Sequence, residues 1–187
     1  MGFLTRYGSF WGQLPQTSGR LFWVASSDTY TVEGRSYSAS DQNDGLSPER
    51  AFRTVDYAVG QTTANVGDVI VLLPGSHTSA STINVDVAGI VITGIPGSAE
   101  LPGVRGPSGG LARRSQITTT GTAGMVFTVT AADVEIAYLY IASITAGAGI
   151  SVSNAADRAY IHDCSFNLGA TTETATFGIT FPLGTGT

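Results

Sequence analysis

Val134-Glu-Ile-Ala-Tyr-Leu-Tyr-Ile141 and Ala159-Tyr-Ile-His-Asp-Cys-Ser-Phe166 decide the reading of this chain. Both runs carry apolar residues at offsets 0, 2, 5 and 7, and each matched pair lies 25 residues apart. Just upstream, Phe127 and Val129 match Ile150 and Val152 at a separation of 23. Between them, Ala131-Ala132-Asp133 matches Ala155-Ala156-Asp157. An earlier copy, Ile90-Val-Ile92-Thr-Gly-Ile95, lies 44 residues before the first run, with a Gly/Pro-rich loop from Pro96 to Ser115 taking up the excess. Val69-Ile-Val71-Leu-Leu-Pro-Gly75 is a weaker start, and Phe177-Gly-Ile179-Thr-Phe181 begins a further copy.

Alternation within a run sends one set of side chains inward. The step from offset 2 to offset 5 is one residue too long for alternation, which marks a bend between two short strands. A period of about 25 residues with such bends is one coil of a parallel β-solenoid, whose stacked coils bury a shared core. The expected fold class is therefore all-β. The expected register sets Glu135 beside Tyr160, Ala137 beside His162 and Tyr138 beside Asp163.

Composition agrees with strands and tight turns. Of the 187 residues, 42% are hydrophobic and only 12% charged, with 24 Gly and no Lys. Helical bundles and coiled coils need Ala/Glu/Lys/Leu/Arg-rich periodic stretches, which are missing here. The net charge of −5 and the lone basic pair Arg113-Arg114 give no nucleic-acid footprint. A single Cys164 forms no internal disulfide. No apolar run reaches the ~18 residues of a membrane helix. Met1 to Gly12 has no apolar signal-peptide core, so synthesis in a cytoplasm without a secretory signal is expected.

The N-terminal part reads differently. Residues 1–36 form an irregular arm and a hairpin, and residues 37–187 form the solenoid. Phe3, Tyr7, Phe10, Trp11, Phe22 and Trp23 crowd the arm without a period. They either fold back on their own domain or anchor to a partner chain, where aromatic residues dominate binding. Thr29–Ser38 reads as a hairpin about Glu33-Gly34. Ser40-Asp-Gln-Asn-Asp-Gly45 resembles part of a Ca²⁺ loop but lacks the later Glu, so it reads as a turn. Residues 47–60 read as one helix, with Ser47 as N-cap, Pro48 at the first position and Ala51, Val55, Ala58 and Val59 on one face. That helix would lid the open N-terminal end of the stack, since uncovered strand edges invite aggregation. The C-terminal end shows no cap, so a partner subunit or further chain is expected to cover it.

The stretch Tyr37-Ser-Ala-Ser-Asp41 … Asp44-Gly-Leu-Ser-Pro-Glu-Arg-Ala-Phe52-Arg-Thr54 … Gly67-Asp68-Val-Ile-Val71 … Pro74-Gly75 resembles the opening of pectin-lyase-like right-handed parallel β-helix proteins. Gly149 to Phe166 is similar to a coil of that fold, and the resemblance spans roughly residues 37–181. It implies a right-handed β-helix with a short N-terminal capping helix. Combined with the acidic, Lys-free composition and the aromatic arm, it implies a bacteriophage virion protein of the tailspike, tail-fibre or head-fibre type. Such proteins are homotrimers that attach by an N-terminal segment to other virion proteins and point the β-helix at host surface polysaccharide.

Candidate chemistry is sparse. Glycoside hydrolysis needs two carboxyl groups about 5–9.5 Å apart. Asp133, Glu135, Asp157 and Asp163 are the candidates, but Asp133 and Asp157 sit in Ala-Ala-Asp bends that suit turn hydrogen bonds. A lyase of this fold would want an acid cluster and a basic residue, and Arg158 beside Asp157 is the only basic residue of the late coils. His162-Asp163, the one His/Asp pair there, is the alternative candidate for an acid/base dyad. Both are expected to point outward as a solvated pair, without a hydrogen bond between them. Tyr138, Tyr140 and Tyr160 make either a platform for sugar rings or a subunit interface. His77 has no second His nearby, and Cys164 takes an inward offset, so neither a metal site nor a cofactor is expected. The leading expectation is a non-catalytic virion protein, with a polysaccharide depolymerase or a passive glycan-binding module as alternatives.

Overall fold

The computed structural model describes residues 17–26, 28–32, 34–95, 115–120, 125–143, 149–167 and 178–181. The arm residues Phe3, Tyr7, Phe10 and Trp11 lie outside them. The described residues form fifteen strands, numbered in chain order, and one short α-helix. One sheet holds β1 (Leu21–Val24), β4 (Val69–Leu72), β7 (Val91–Thr93), β10 (Glu135–Ala137) and β13 (Tyr160–His162), in that spatial order. A second holds β5 (Gly75–Ser79), β8 (Ser115–Thr119), β11 (Leu139–Ser143) and β14 (Ser165–Asn167). A third holds β6 (Ile83–Val85), β9 (Phe127–Val129), β12 (Ile150–Val152) and β15 (Ile179–Thr180). Every pairing in these three sheets is parallel. From β4 onward the chain visits first, second and third sheet in turn, four times over. The fold class is all-β with parallel sheets. Beside them, β2 (Thr29–Val32) and β3 (Arg35–Ser38) form the expected antiparallel hairpin.

The expected register holds where it was read from the repeats. Glu135 pairs with Tyr160, Ile136 with Ile161 and Ala137 with His162, while Phe127 and Val129 pair with Ile150 and Val152. Inward side chains therefore stack in columns. Phe22, Ile70, Ile92, Ile136 and Ile161 run through the first sheet. Ile83, Phe127, Ile150 and Ile179 run through the third. Each fully buried aliphatic or aromatic side chain contributes about 1.5–3 kcal/mol. The long step in the repeat is a bend at Tyr138 and Asp163, both with positive φ (54° and 50°). A second bend column precedes the first sheet, where Gly67, Gly89, Asp133 and Arg158 all have φ between 56° and 80°. Gly relieves the Cβ strain of this conformation at the first two levels, and Asp tolerates it better than most residues.

Phe22 and Trp23 correct the reading of residues 1–36 as an arm. They lie in β1, which pairs with β4, and both are buried within this chain. Phe22 joins the inner core, while Trp23 joins an outer cluster with Ala25, Ala39, Ala51, Val69 and Val71, against which Tyr30 of the hairpin packs. Neither ring is a surface anchor for a partner. The free edge of β1 is covered by the segment that follows the hairpin. Trp23 N–H donates to Gly45 O, Phe52 N–H to Trp23 O and Ala25 N–H to Phe52 O, at 2.8–3.0 Å.

The helix expected over 47–60 is a second correction. Pro48–Arg50 is a single 3₁₀ turn, and α1 spans only Val55–Gly60. The Asp41 carboxylate accepts hydrogen bonds from the Arg53 and Thr54 N–H groups and the Thr54 hydroxyl. These bonds, with the pairing of Phe52 to Val24, hold the intervening residues extended. Ser47 makes no side-chain cap, and the true N-cap is Thr54, whose hydroxyl accepts from Tyr57 N–H at 3.3 Å. Val55, Ala58 and Val59 nevertheless enter the inner core, where α1 packs against β1, β4, β5 and β6. At the other end, Ile161, Cys164, Phe166 and Ile179 are only partly buried.

His77 occupies a core position. It is paired with Ile117, in the column that continues to Ile141 and Phe166, and is 2% exposed. Its Nε2–H donates to the Leu73 carbonyl at 2.7 Å, and Nδ1 has no hydrogen-bond partner among the described residues. Burial pushes its pKa from 6.5 down to about 4, with the Leu73 bond opposing and Arg53 assisting. A neutral buried histidine resists protonation in the folded state. Its contribution is therefore fully present above about pH 6.5 and is lost as pH falls toward 4, by about 3 kcal/mol in all. Urea denaturation of wild type and His77→Gln across that range should show a steeper acid loss in the wild type. Parallel slopes would contradict the placement.

Candidate functional site

The outer face of the first sheet carries the richest side-chain chemistry at the level of β10 and β13. Alternation turns Glu135 and Ala137, and Tyr160 and His162, away from Ile136 and Ile161. Parallel pairing then sets Glu135 next to Tyr160 and Ala137 next to His162. The small Ala137 leaves room for rings. Tyr160 stacks on His162 with centroids 4.4 Å apart at 28°, and Tyr138 meets the same imidazole edge-on at 5.6 Å and 79°. Tyr160 is 60% exposed and Tyr138 38% exposed.

His162 bridges two carboxylates. Nε2 lies 3.1 Å from Glu135 Oε1, and Nδ1 lies 2.8 Å from Asp163 Oδ2. Carboxylates accept only, so both bonds form together when the ring carries both protons. Burial alone would lower the His162 pKa. The hydrogen bonds to Asp163 and Glu135 and their negative charges outweigh it and raise the pKa above 6.5. The Tyr138 phenol is pushed above 10.0 by burial, then by the nearby Asp163 and Glu135 carboxylates. On sequence alone the His162–Asp163 pair is expected to be solvated and unbonded. The bend at Asp163 overturns that, because its left-handed backbone breaks the alternation that would send adjacent side chains apart.

The other candidates distribute elsewhere. Tyr140 lies in the second sheet, level with Gln116 and Ser165, so the expected trio of tyrosines is two tyrosines and a histidine. Asp133 is held by Arg158, whose Nε and Nη2 each sit 2.5 Å from a carboxylate oxygen. That bond lowers the Asp133 pKa, which keeps the group ionised rather than poised as an acid. Arg158 thus pairs with Asp133, one repeat back, rather than with its neighbour Asp157. The Asp157 carbonyl accepts from Asp133 N–H at 2.9 Å. Cys164 packs against the core as expected, its Sγ 3.7 Å from the Ile136 carbonyl, and burial raises its pKa.

Two carboxylates that the sequence reading left without a role are structural anchors. Asp68 is fully buried; its carboxylate accepts from the Arg20 N–H at 2.6 Å and the Thr63 N–H at 2.8 Å, and pairs with the Arg20 guanidinium at 3.2 Å. Asp41 holds the start of α1. Among the described residues no group of three or more His, Cys, Asp or Glu could hold a metal ion, and no helix is long and apolar enough to cross a membrane. Comparison with protein-family models, curated proteins and solved structures finds no match to this chain.

The two histidines should titrate in opposite directions. His162 stabilises the fold below pH 6.5, and that contribution is lost as pH rises through its raised pKa. Proton NMR should place the His162 midpoint above 6.5 and His77 near 4, and Glu135→Gln should move the His162 midpoint down. A His162 midpoint at or below 6.5 would contradict the bridge.

Proposed function

We propose that the three parallel sheets are the three faces of a right-handed parallel β-helix, and that the chain is a non-catalytic bacteriophage virion protein of the tailspike or fibre type. On this reading it acts as a homotrimer, is held to other virion proteins by its N-terminal residues, and presents the Tyr138–His162–Tyr160 face to host surface polysaccharide. The observation that carries the reading is the cyclic strand order: each repeat adds one strand to each sheet, in register with the repeat before. Together with the Asp41…Phe52-x-Thr54…Gly67-Asp68 opening, this is the pattern of the superfamily that the sequence resembles. Fold alone does not assign function, so the non-catalytic part rests on the carboxylates. Asp133 is tied to Arg158, and Glu135 and Asp163 are tied to one histidine. The Arg158 bond holds Asp133 ionised, which does not suit a general acid for sugar hydrolysis. Exposed tyrosines beside them suit a sugar ring stacking on an aromatic face.

Light scattering of the purified chain should give three times the 19.3 kDa chain mass, and incubation with a panel of capsular polysaccharides should release no oligosaccharide. A stable monomer at micromolar concentration would overturn the trimeric virion reading. Oligosaccharide release would replace it with a depolymerase.

A further inference from the structure

The aromatic face has a definite electrostatic sign. Glu135 and Asp163 supply two negative charges, and His162 returns at most one positive charge. The face is therefore net negative whether or not the imidazole is protonated. Arg158, the nearest cation along the chain, is engaged by Asp133 at the bend. The arrangement already accommodates one cation of its own: the His162 ring lies flat on Tyr160 at 4.4 Å with its two nitrogens aimed at the two carboxylates. Tyrosine faces attract cations, and carboxylates bond a charged donor about twice as strongly as a neutral one.

We propose that the Glu135–Tyr138–Tyr160–His162–Asp163 face binds a sugar bearing a protonated amine. The inference rests on the glycan-presenting reading above and names the class of glycan. The exposed part of Tyr160 takes the sugar ring, and the ammonium takes the remaining negative charge of Glu135 and Asp163. A carboxylate can only accept hydrogen bonds, so a ligand group that bonds Glu135 or Asp163 must donate. An ammonium donates three times and carries the complementary charge. A uronic acid brings a like charge to two carboxylates and is disfavoured. An N-acetylated sugar keeps the ring but loses the charge.

The test is calorimetric titration of the full chain, in a mildly acidic buffer where the sugar amine is protonated, with three probes: a glucosamine tetramer, an N-acetylglucosamine tetramer and a galacturonic acid tetramer. The glucosamine tetramer should bind about tenfold or more tighter than the acetylated one, a preference that a single charge-assisted bond can supply. Tyr160→Ala should remove binding of both. Glu135→Gln and, separately, Asp163→Asn should erase the preference while leaving the weaker acetylated binding, with a wild-type circular dichroism spectrum and a single cooperative unfolding transition to show that each variant folds. Equal affinity for amine and acetylated probes would overturn the inference and leave the glycan reading standing, as would tightest binding of the uronic acid. Binding of none of the three would overturn both.

Discussion

In-register parallel stacking is the constraint on which the rest of this structure depends. Once Ile70, Ile92, Ile136 and Ile161 sit one above another, every residue of one repeat has a fixed neighbour in the next. The bends must then superpose as well, which is why Gly67, Gly89, Asp133 and Arg158 share one left-handed conformation although their side chains have nothing in common. β7 ends at Thr93 and β8 begins only at Ser115, yet β8 pairs in register with β5. The same constraint packs Gly94 so closely against the Tyr138 carbonyl that a Cβ there would collide with its oxygen.

The two ends of the sheets are treated differently. At the N-terminal end, α1 packs into the core against the first strands of the three sheets, and β1 is covered along its edge by Gly45 and Phe52 and over its outer face by the hairpin. Buried Asp68 ties Arg20 to the loop after α1, and Asp41 ties the polar loop to the helix start. Each carboxylate accepts from two backbone N–H groups, Asp68 from Arg20 and Thr63 and Asp41 from Arg53 and Thr54. At the far end the equivalent inward residues remain half-buried.

Sequence reading succeeded where the repeat could be compared with itself. The pairings of Glu135, Ile136 and Ala137 follow from matched apolar offsets, and so does the inward place of Cys164. It failed where tertiary contacts override local signals. Ser47-Pro48-Glu49 has the composition of a helix start, yet the Asp41 carboxylate moves that start to Thr54. Leu21-Phe-Trp-Val24 shows no alternation because both of its faces are covered, and a strand buried on two sides loses the period of two. The His162–Asp163 bond was illegible because nothing in the residue types Tyr138 and Asp163 announces a left-handed backbone. His77 was closer to legible: aligning it with Ile117 and Ile141, two residues into successive strands of the second sheet, would have placed it in the core. The arrangement of Tyr138, Tyr160 and His162 was half visible, since register set Tyr138 and Tyr160 near their partners but could not put the imidazole between them.

The site inherits its order from the stack. Glu135 and His162 meet across a strand pair only because β10 and β13 are aligned without a slip, and a shift of one residue would turn each to the opposite face. The most direct test of the account is therefore a methyl nuclear Overhauser spectrum of the isotopically labelled chain. The account predicts an unbroken ladder of cross-peaks from Ile70 to Ile92, Ile92 to Ile136 and Ile136 to Ile161, with Ile117 to Ile141 in the second sheet. A ladder displaced by one residue, or Ile136 without a contact to either Ile92 or Ile161, would contradict it.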